Sequence, residues 1–85
     1  MAKYDVRVLP KARKELQRIP KADRIKLMSR ISALSDDPRA PGVKKLAGHD
    51  HRYRVRQGDY RILYDVSDKE LTVMVIKVGQ RGGFY

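Results

Sequence analysis

Polar and apolar residues alternate from Lys3 to Leu9, with Tyr4, Val6 and Val8 on one side and Asp5 and Arg7 on the other. A period of two is that of a half-buried strand. Pro10 then suits the first turn of a helix, where its missing N–H costs nothing. Ala12, Leu16 and Ile19 recur at four and three residues, so a short amphipathic helix is predicted, ended by Pro20. A second helix is predicted from about Lys21, with Leu27, Met28, Ile31 and Leu34 as its buried stripe and Asp23, Lys26 and Arg30 in water. Two helices joined this tightly form an antiparallel hairpin. Asp36-Asp37-Pro38 stops the second helix, and the stretch to His51, with Pro41, Gly42 and Gly48, reads as loop.

Beyond His51 the period returns to two. Arg52 to Gln57, Asp59 to Val66 and Leu71 to Val78 are predicted strands, with Gly58-Asp59 and Ser67 to Glu70 as turns. Gly at the first central position fits a two-residue type II′ turn at Gly58-Asp59. The expected fold is α+β in the order β-α-α-β-β-β, a small antiparallel sheet with the helical hairpin on one face. At 85 residues the chain is expected to be one domain spanning 1–85.

That turn sets a register. Gln57 faces Tyr60, Arg56 faces Arg61, Val55 faces Ile62 and Arg54 faces Leu63. Tyr53, Val55, Ile62, Tyr64, Val66, Leu71, Val73 and Val75 then share the face under the helices, while Arg52, Arg54, Arg56 and Arg61 gather on the open face. Opposed Arg56 and Arg61 repel, and the arrangement is destabilising unless an anion sits between them. Arginine on an outer sheet face is often no more than solvated. Here, though, carboxylates are almost absent from that face of the second and third strands, with Asp59 in the turn and Asp65 further along. An anion-binding face is expected, and Arg suits bidentate phosphate recognition.

Composition narrows the partners. Twenty Lys and Arg against ten Asp and Glu leave a formal charge of +10, which attracts nucleic acid, anionic membrane or an acidic protein. The chain has no Cys, which removes disulfide scaffolds, thiolate metal sites and cysteine nucleophiles. Its first residues lack the apolar stretch of a signal peptide, so a cytoplasmic location is expected. The longest apolar run, Leu71 to Ile76, is the length of a strand, and no membrane partner is expected.

Other candidates carry less. Lys44-Lys45 in the loop can extend a phosphate track. The segment Val78-Gly79-Gln80-Arg81-Gly82-Gly83-Phe84-Tyr85 has the make-up of a ligand-contacting lip, in which Arg holds phosphate and the aromatic rings stack on unpaired bases. His49 and His51 lack further ligands nearby, so neither a metal nor another cofactor is expected. Tyr4, Tyr53, Tyr60 and Tyr64 fall on core-facing positions. The chain shows no Gly-rich phosphate loop after a strand, no nucleophile elbow, and no paired carboxylates for acid–base work.

The residues Lys44-Lys45-Leu46-Ala47-Gly48, Tyr53-Arg54-Val55-Arg56, Gly58-Asp59-Tyr60-Arg61-Ile62-Leu63-Tyr64 and Val78-Gly79-Gln80-Arg81 with Tyr85 together resemble the RelE branch of the RelE/ParE toxin superfamily. These are the toxin halves of type II toxin–antitoxin modules, and the resemblance spans essentially the whole chain. It implies a ribosome-dependent mRNA endonuclease that cuts in the A site without metal. In that chemistry a 2′-hydroxyl attacks the adjacent phosphate, leaving a 2′,3′-cyclic phosphate and a free 5′-hydroxyl. By position, Arg54 and Arg56 resemble a basic pair that is usually Lys in the best-described member of the family. Arg61 resembles its phosphate-clamping Arg, Arg81 the Arg after the last strand, and Tyr85 the terminal Tyr that activates or orients the nucleophile. Lys44, Lys45, Arg52 and Gln80 are the accompanying candidates for RNA or phosphate binding. The resemblance further implies an acidic antitoxin that masks the basic face, and operator DNA bound only through that antitoxin.

The residue chemistry agrees with this assignment and marks where it is thinnest. A transition state that gathers negative charge is stabilised by guanidiniums held in place beforehand. Arg, with a pKa above ~12, is a poor proton donor at neutral pH, and Tyr near ~10 is a poor base unless nearby cations lower it. Many relatives carry His where this chain has Gln80, so no group of near-neutral pKa remains in the motif. Electrostatics and substrate orientation are therefore expected to supply most of the catalysis. Two rivals stay open: a ParE-like inhibitor of DNA gyrase without RNA chemistry, and a catalytically impaired homologue acting as a binding module.

Overall fold

The computed structural model describes residues 3–80. Its elements run β1 (Asp5–Val8), α1 (Pro10–Gln17), α2 (Lys21–Ala33), β2 (Lys44–Lys45), β3 (Arg52–Gln57), β4 (Tyr60–Ser67) and β5 (Thr72–Gln80). Pro10 opens α1 as expected, and the three residues to Pro20 turn the chain into α2. Asp23 sits in the first turn of α2 and Arg30 in its last, each at the end where the helix dipole favours its charge.

One five-stranded sheet in the order β1-β5-β4-β3-β2 backs the helical hairpin. The expected α+β order holds, with two refinements. The sheet is mixed, because β1 lies parallel to β5 while the other neighbours are antiparallel. Lys44-Lys45, expected as loop, forms the short edge strand β2 against Tyr53 and Arg54. No helix among the described residues is long and apolar enough to cross a membrane.

The core lies between the helices and one face of the sheet. Ala12, Leu16, Ile19, Leu27, Ile31 and Leu34 meet Tyr53, Val55, Tyr60, Ile62, Tyr64, Val66, Val73, Val75 and Val78. Each fully buried aliphatic side chain contributes roughly 1.5–3 kcal/mol relative to exposure. Two residues expected in this core lie outside it. Met28 is half exposed, because the buried line of α2 runs through Leu27, Ile31 and Leu34 and passes beside it. Leu71 is also half exposed, since it closes the β4–β5 turn in a left-handed conformation (φ 52°) and β5 begins only at Thr72.

An aromatic and ionic clasp ties the loop after α2 to that turn. Tyr53 and Tyr64 stack at 6.0 Å, and Tyr64 Oη donates to the Pro38 carbonyl at 2.6 Å. The Arg39 guanidinium lies 5.2 Å from the centre of the Tyr53 ring and donates through Nε to Tyr53 Oη at 2.9 Å. Its two terminal nitrogens hold the Asp68 carboxylate at 3.0 and 2.9 Å, and Tyr4 Oη donates to the same carboxylate at 2.7 Å. Burial pushes the Tyr64 phenol well above its ordinary pKa. Tyr4, Tyr53, Tyr60 and Tyr64 are thus structural, as their sequence positions suggested.

The last strand carries the feature that matters most for the open face. Leu63 of β4 pairs with Lys77, but the next residue, Tyr64, pairs with Val75, so Ile76 is an extra residue. Such a bulge reverses which side chains point to which face. Val78 is therefore in the core beside Ile62, and Lys77 shares a face with Leu63. Beyond Val75 the strand has no β1 partner. There Glu15 of α1 accepts the Val78 N–H at 3.0 Å and holds the free edge.

Candidate nucleic-acid interface

The open face is organised in rows that cross the strands. Residues paired directly across a sheet lie on one face with their Cβ atoms roughly 5 Å apart. The first row is Arg7, Met74, Asp65 and Arg52; the second is Lys77, Leu63, Arg54 and Lys44; the third is Gly79, Arg61 and Arg56. The β3–β4 turn fixes this register. Gln57 pairs with Tyr60, and Gly58 takes the positive φ (60°) that the first central position of a type II′ turn requires. With two residues in the turn, Arg56 and Arg61 form a non-hydrogen-bonded pair, the kind whose side chains approach more closely.

Lys44, Arg54, Arg56 and Arg61, with Gly42, line a cleft of ≈ 230 Å³. Arg56 is exposed, while Arg54 and Arg61 are half-buried. Arg61 Nε is fully buried and has no hydrogen-bond acceptor among the described residues. An unsatisfied buried donor costs roughly 1–3 kcal/mol, more when charged. Repulsion between opposed guanidiniums adds to that cost. Both are relieved by one and the same thing, an anion in the cleft, and the cleft has the size and donor set to take a phosphate group.

Arg52 stands apart from this set. Its Nε and Nη2 donate to the two oxygens of Asp65 at 2.8 and 3.1 Å, a two-pronged ion pair in the first row. The Asp65 carboxylate holds the Arg52 pKa above its usual value. Its charge is spent within the protein, and it contributes little to the anion face.

The remaining candidates divide. Lys44 lies in the cleft, whereas Lys45 pairs with the buried Tyr53 and belongs to the helix side. Gln80 pairs with Tyr60, so it too is on the helix side, where it lines a separate depression with Glu15, Arg18, Ile19 and Pro20. Arg81 and Tyr85 lie outside the described residues. His49 and His51 are exposed on the loop before β3. Sequence reasoning missed Gly42 and Lys77. Gly42 could have been suspected only as a turn residue; its φ of 93° lets the chain bend at the cleft wall. For Lys77 a signal existed. Strict alternation from Val73 and Val75 puts a lysine in the core and Val78 in water, a contradiction that a bulge resolves.

Known proteins share this architecture. Residues 6–83 match the family described as the ParE toxin of the type II toxin–antitoxin system parDE. A putative RelE-like toxin protein of Escherichia coli is 29% identical over 80 residues, covering 93% of this chain and 84% of that protein. The toxin RelG of Mycobacterium tuberculosis is 30% identical over 86 residues, covering 96% and 95%. Among solved structures, the archaeal RelE–RelB complex from Pyrococcus horikoshii aligns with a TM-score of 0.83 at 32% identity, over 95% of this chain and 98% of the other. The isolated E. coli RelE toxin aligns with a TM-score of 0.80 at 28% identity, over 91% and 83%.

Proposed function

The chain belongs to the ParE toxin family of type II toxin–antitoxin systems, in its RelE branch, and from this we propose that it is an endoribonuclease cutting mRNA in the ribosomal A site. The observation that carries the reading is the Arg56–Arg61 pair, opposed across two strands beside Arg54 and Lys44, with Arg61 Nε buried and without an acceptor among the described residues. The scissile phosphate sits in that cleft. The 2′-oxygen of the preceding ribose attacks phosphorus and loses its proton; the bond from phosphorus to the 5′-oxygen breaks, and that oxygen gains a proton. The products are a 2′,3′-cyclic phosphate and a 5′-hydroxyl.

Negative charge on the non-bridging oxygens grows along this path. Guanidiniums already fixed by the sheet stabilise it without moving, which is worth most in a partly buried cleft. Arg54, Arg56 and Arg61 remain charged at any physiological pH and act as the clamp. The resemblance adds Arg81 and Tyr85 to the set, with Tyr85 orienting the nucleophile. The ribosome holds the mRNA in the geometry for in-line attack. An acidic antitoxin, as in the RelE–RelB complexes, covers the basic face until it is removed.

A purified translation system with a defined mRNA, mapped by primer extension, tests this. Discrete cuts in the A-site codon, absent on naked RNA, are expected. The match to the ParE family model favours one other reading, inhibition of DNA gyrase without RNA chemistry. Uncut mRNA together with blocked DNA supercoiling would establish that reading instead.

A further inference from the structure

Resting on the reading of the open face as an RNA site, we infer that Lys77 is a phosphate-binding residue, aimed at the RNA by the bulge in β5. Lys77, Leu63, Arg54 and Lys44 form one row across four strands. Neighbouring strands lie about 4.8 Å apart, so the Arg54 and Lys77 backbones are separated by roughly 10 Å and the whole row spans roughly 15 Å. Leu63, half-buried, is the apolar floor between the two cations.

This row meets the cleft at Arg54 and Lys44 and runs on past it to β5. A single RNA strand laid across the β-strands therefore places one phosphate in the cleft and offers a neighbouring phosphate to Lys77, while Leu63 faces sugar or base. The bulge makes the arrangement. Without the extra residue Ile76, Lys77 would turn towards the core and Val78 towards solvent. A disrupted ladder is a local cost, and bulges recur beside sites where they redirect one side chain. A lysine needed only for solubility would be equally well placed on the helices. On this face it stands in line with Arg54 and Lys44 of the cleft and one row from Arg56 and Arg61.

Binding of a fluorescent single-stranded oligouridylate to the full chain, measured by anisotropy across a salt series, tests the inference. K77A is expected to weaken binding about fivefold at ~0.1 M salt and to reduce the slope of log K against log salt by ~0.7, the value for one lost phosphate contact on a single strand. K77R is expected to keep both affinity and slope, and K77Q replaces K77A if the latter melts below the assay temperature. K26A, which removes an exposed helix charge, controls for net charge and should leave the slope unchanged. A K77A slope equal to that of wild type overturns the inference, as does wild-type protein with no salt-dependent RNA binding. An uncut mRNA in the ribosome assay, with the K77A slope change intact, removes the nuclease reading and leaves the Lys77 contact standing.

Discussion

Arg56 and Arg61 face each other with no carboxylate of the described residues between them, and this pair separates stability from function at single residues. Like charges directly opposed on a sheet cost roughly 0.2–1 kcal/mol. R56T should therefore raise the melting temperature by roughly 1–8 °C at low salt for a domain of this size, while lowering cleavage sharply. R56K, which keeps the charge, should not. Thermal melts of the three proteins decide whether the pair is under repulsion at all. Arg52 makes the opposite case. Because it is held by Asp65 at 2.8 Å and lies outside the cleft, R52A should reduce cleavage far less than R54A, R56A or R61A. D65N should cost up to about 1 kcal/mol in denaturant unfolding, and should change little once Arg52 is already Ala. If R52A abolished cleavage as completely as R61A, the separation of the Arg52–Asp65 pair from the cleft would be wrong.

Between elements, the clasp of Arg39, Asp68 and Tyr4 fastens the loop after α2 to the β4–β5 turn. The Arg39 guanidinium, followed by the Tyr4 hydroxyl, holds the Asp68 carboxyl below its ordinary value near 3.8. A depressed carboxyl contributes stability above its unfolded pKa, lost as pH falls towards the folded one. D68N should therefore melt lower than wild type at pH 7, and the gap should narrow as pH falls below the ordinary carboxyl value of 3.8. A gap that persisted in acid would assign the loss to packing. The clasp also shows what the sequence could and could not reveal. Alternation placed Tyr53, Val55, Ile62, Tyr64 and Val66 in the core correctly, and the Gly58-Asp59 turn fixed the Arg56–Arg61 register. Local pattern and turn chemistry decide both. Pairings between distant segments leave no such trace: Arg39 with Asp68, Glu15 with the Val78 N–H, and β1 alongside β5 are set by tertiary packing. The bulge at Ile76 shifted the side chains from Lys77 to Gln80 by one face, which is how Lys77 escaped and Gln80 fell on the helix side.

At the scale of the molecule, charge is not confined to the cleft. Between residues 10 and 34 the helical hairpin carries eight Lys and Arg against Glu15 and Asp23, a large part of the total of +10. The cleft orients and stabilises at short range, whereas the surrounding field draws polyanions in from any side and weakens as salt shortens the Debye length to about 8 Å at physiological strength. The most direct measurement compares wild type, R52A and the double variant R56A/R61A in cleavage of ribosome-bound mRNA, with circular dichroism to verify that each is folded. A-site cuts from wild type and R52A, and none from folded R56A/R61A, are expected if the opposed arginines form the phosphate clamp. Undiminished cutting by folded R56A/R61A would contradict that assignment and move the active site off the open face of the sheet.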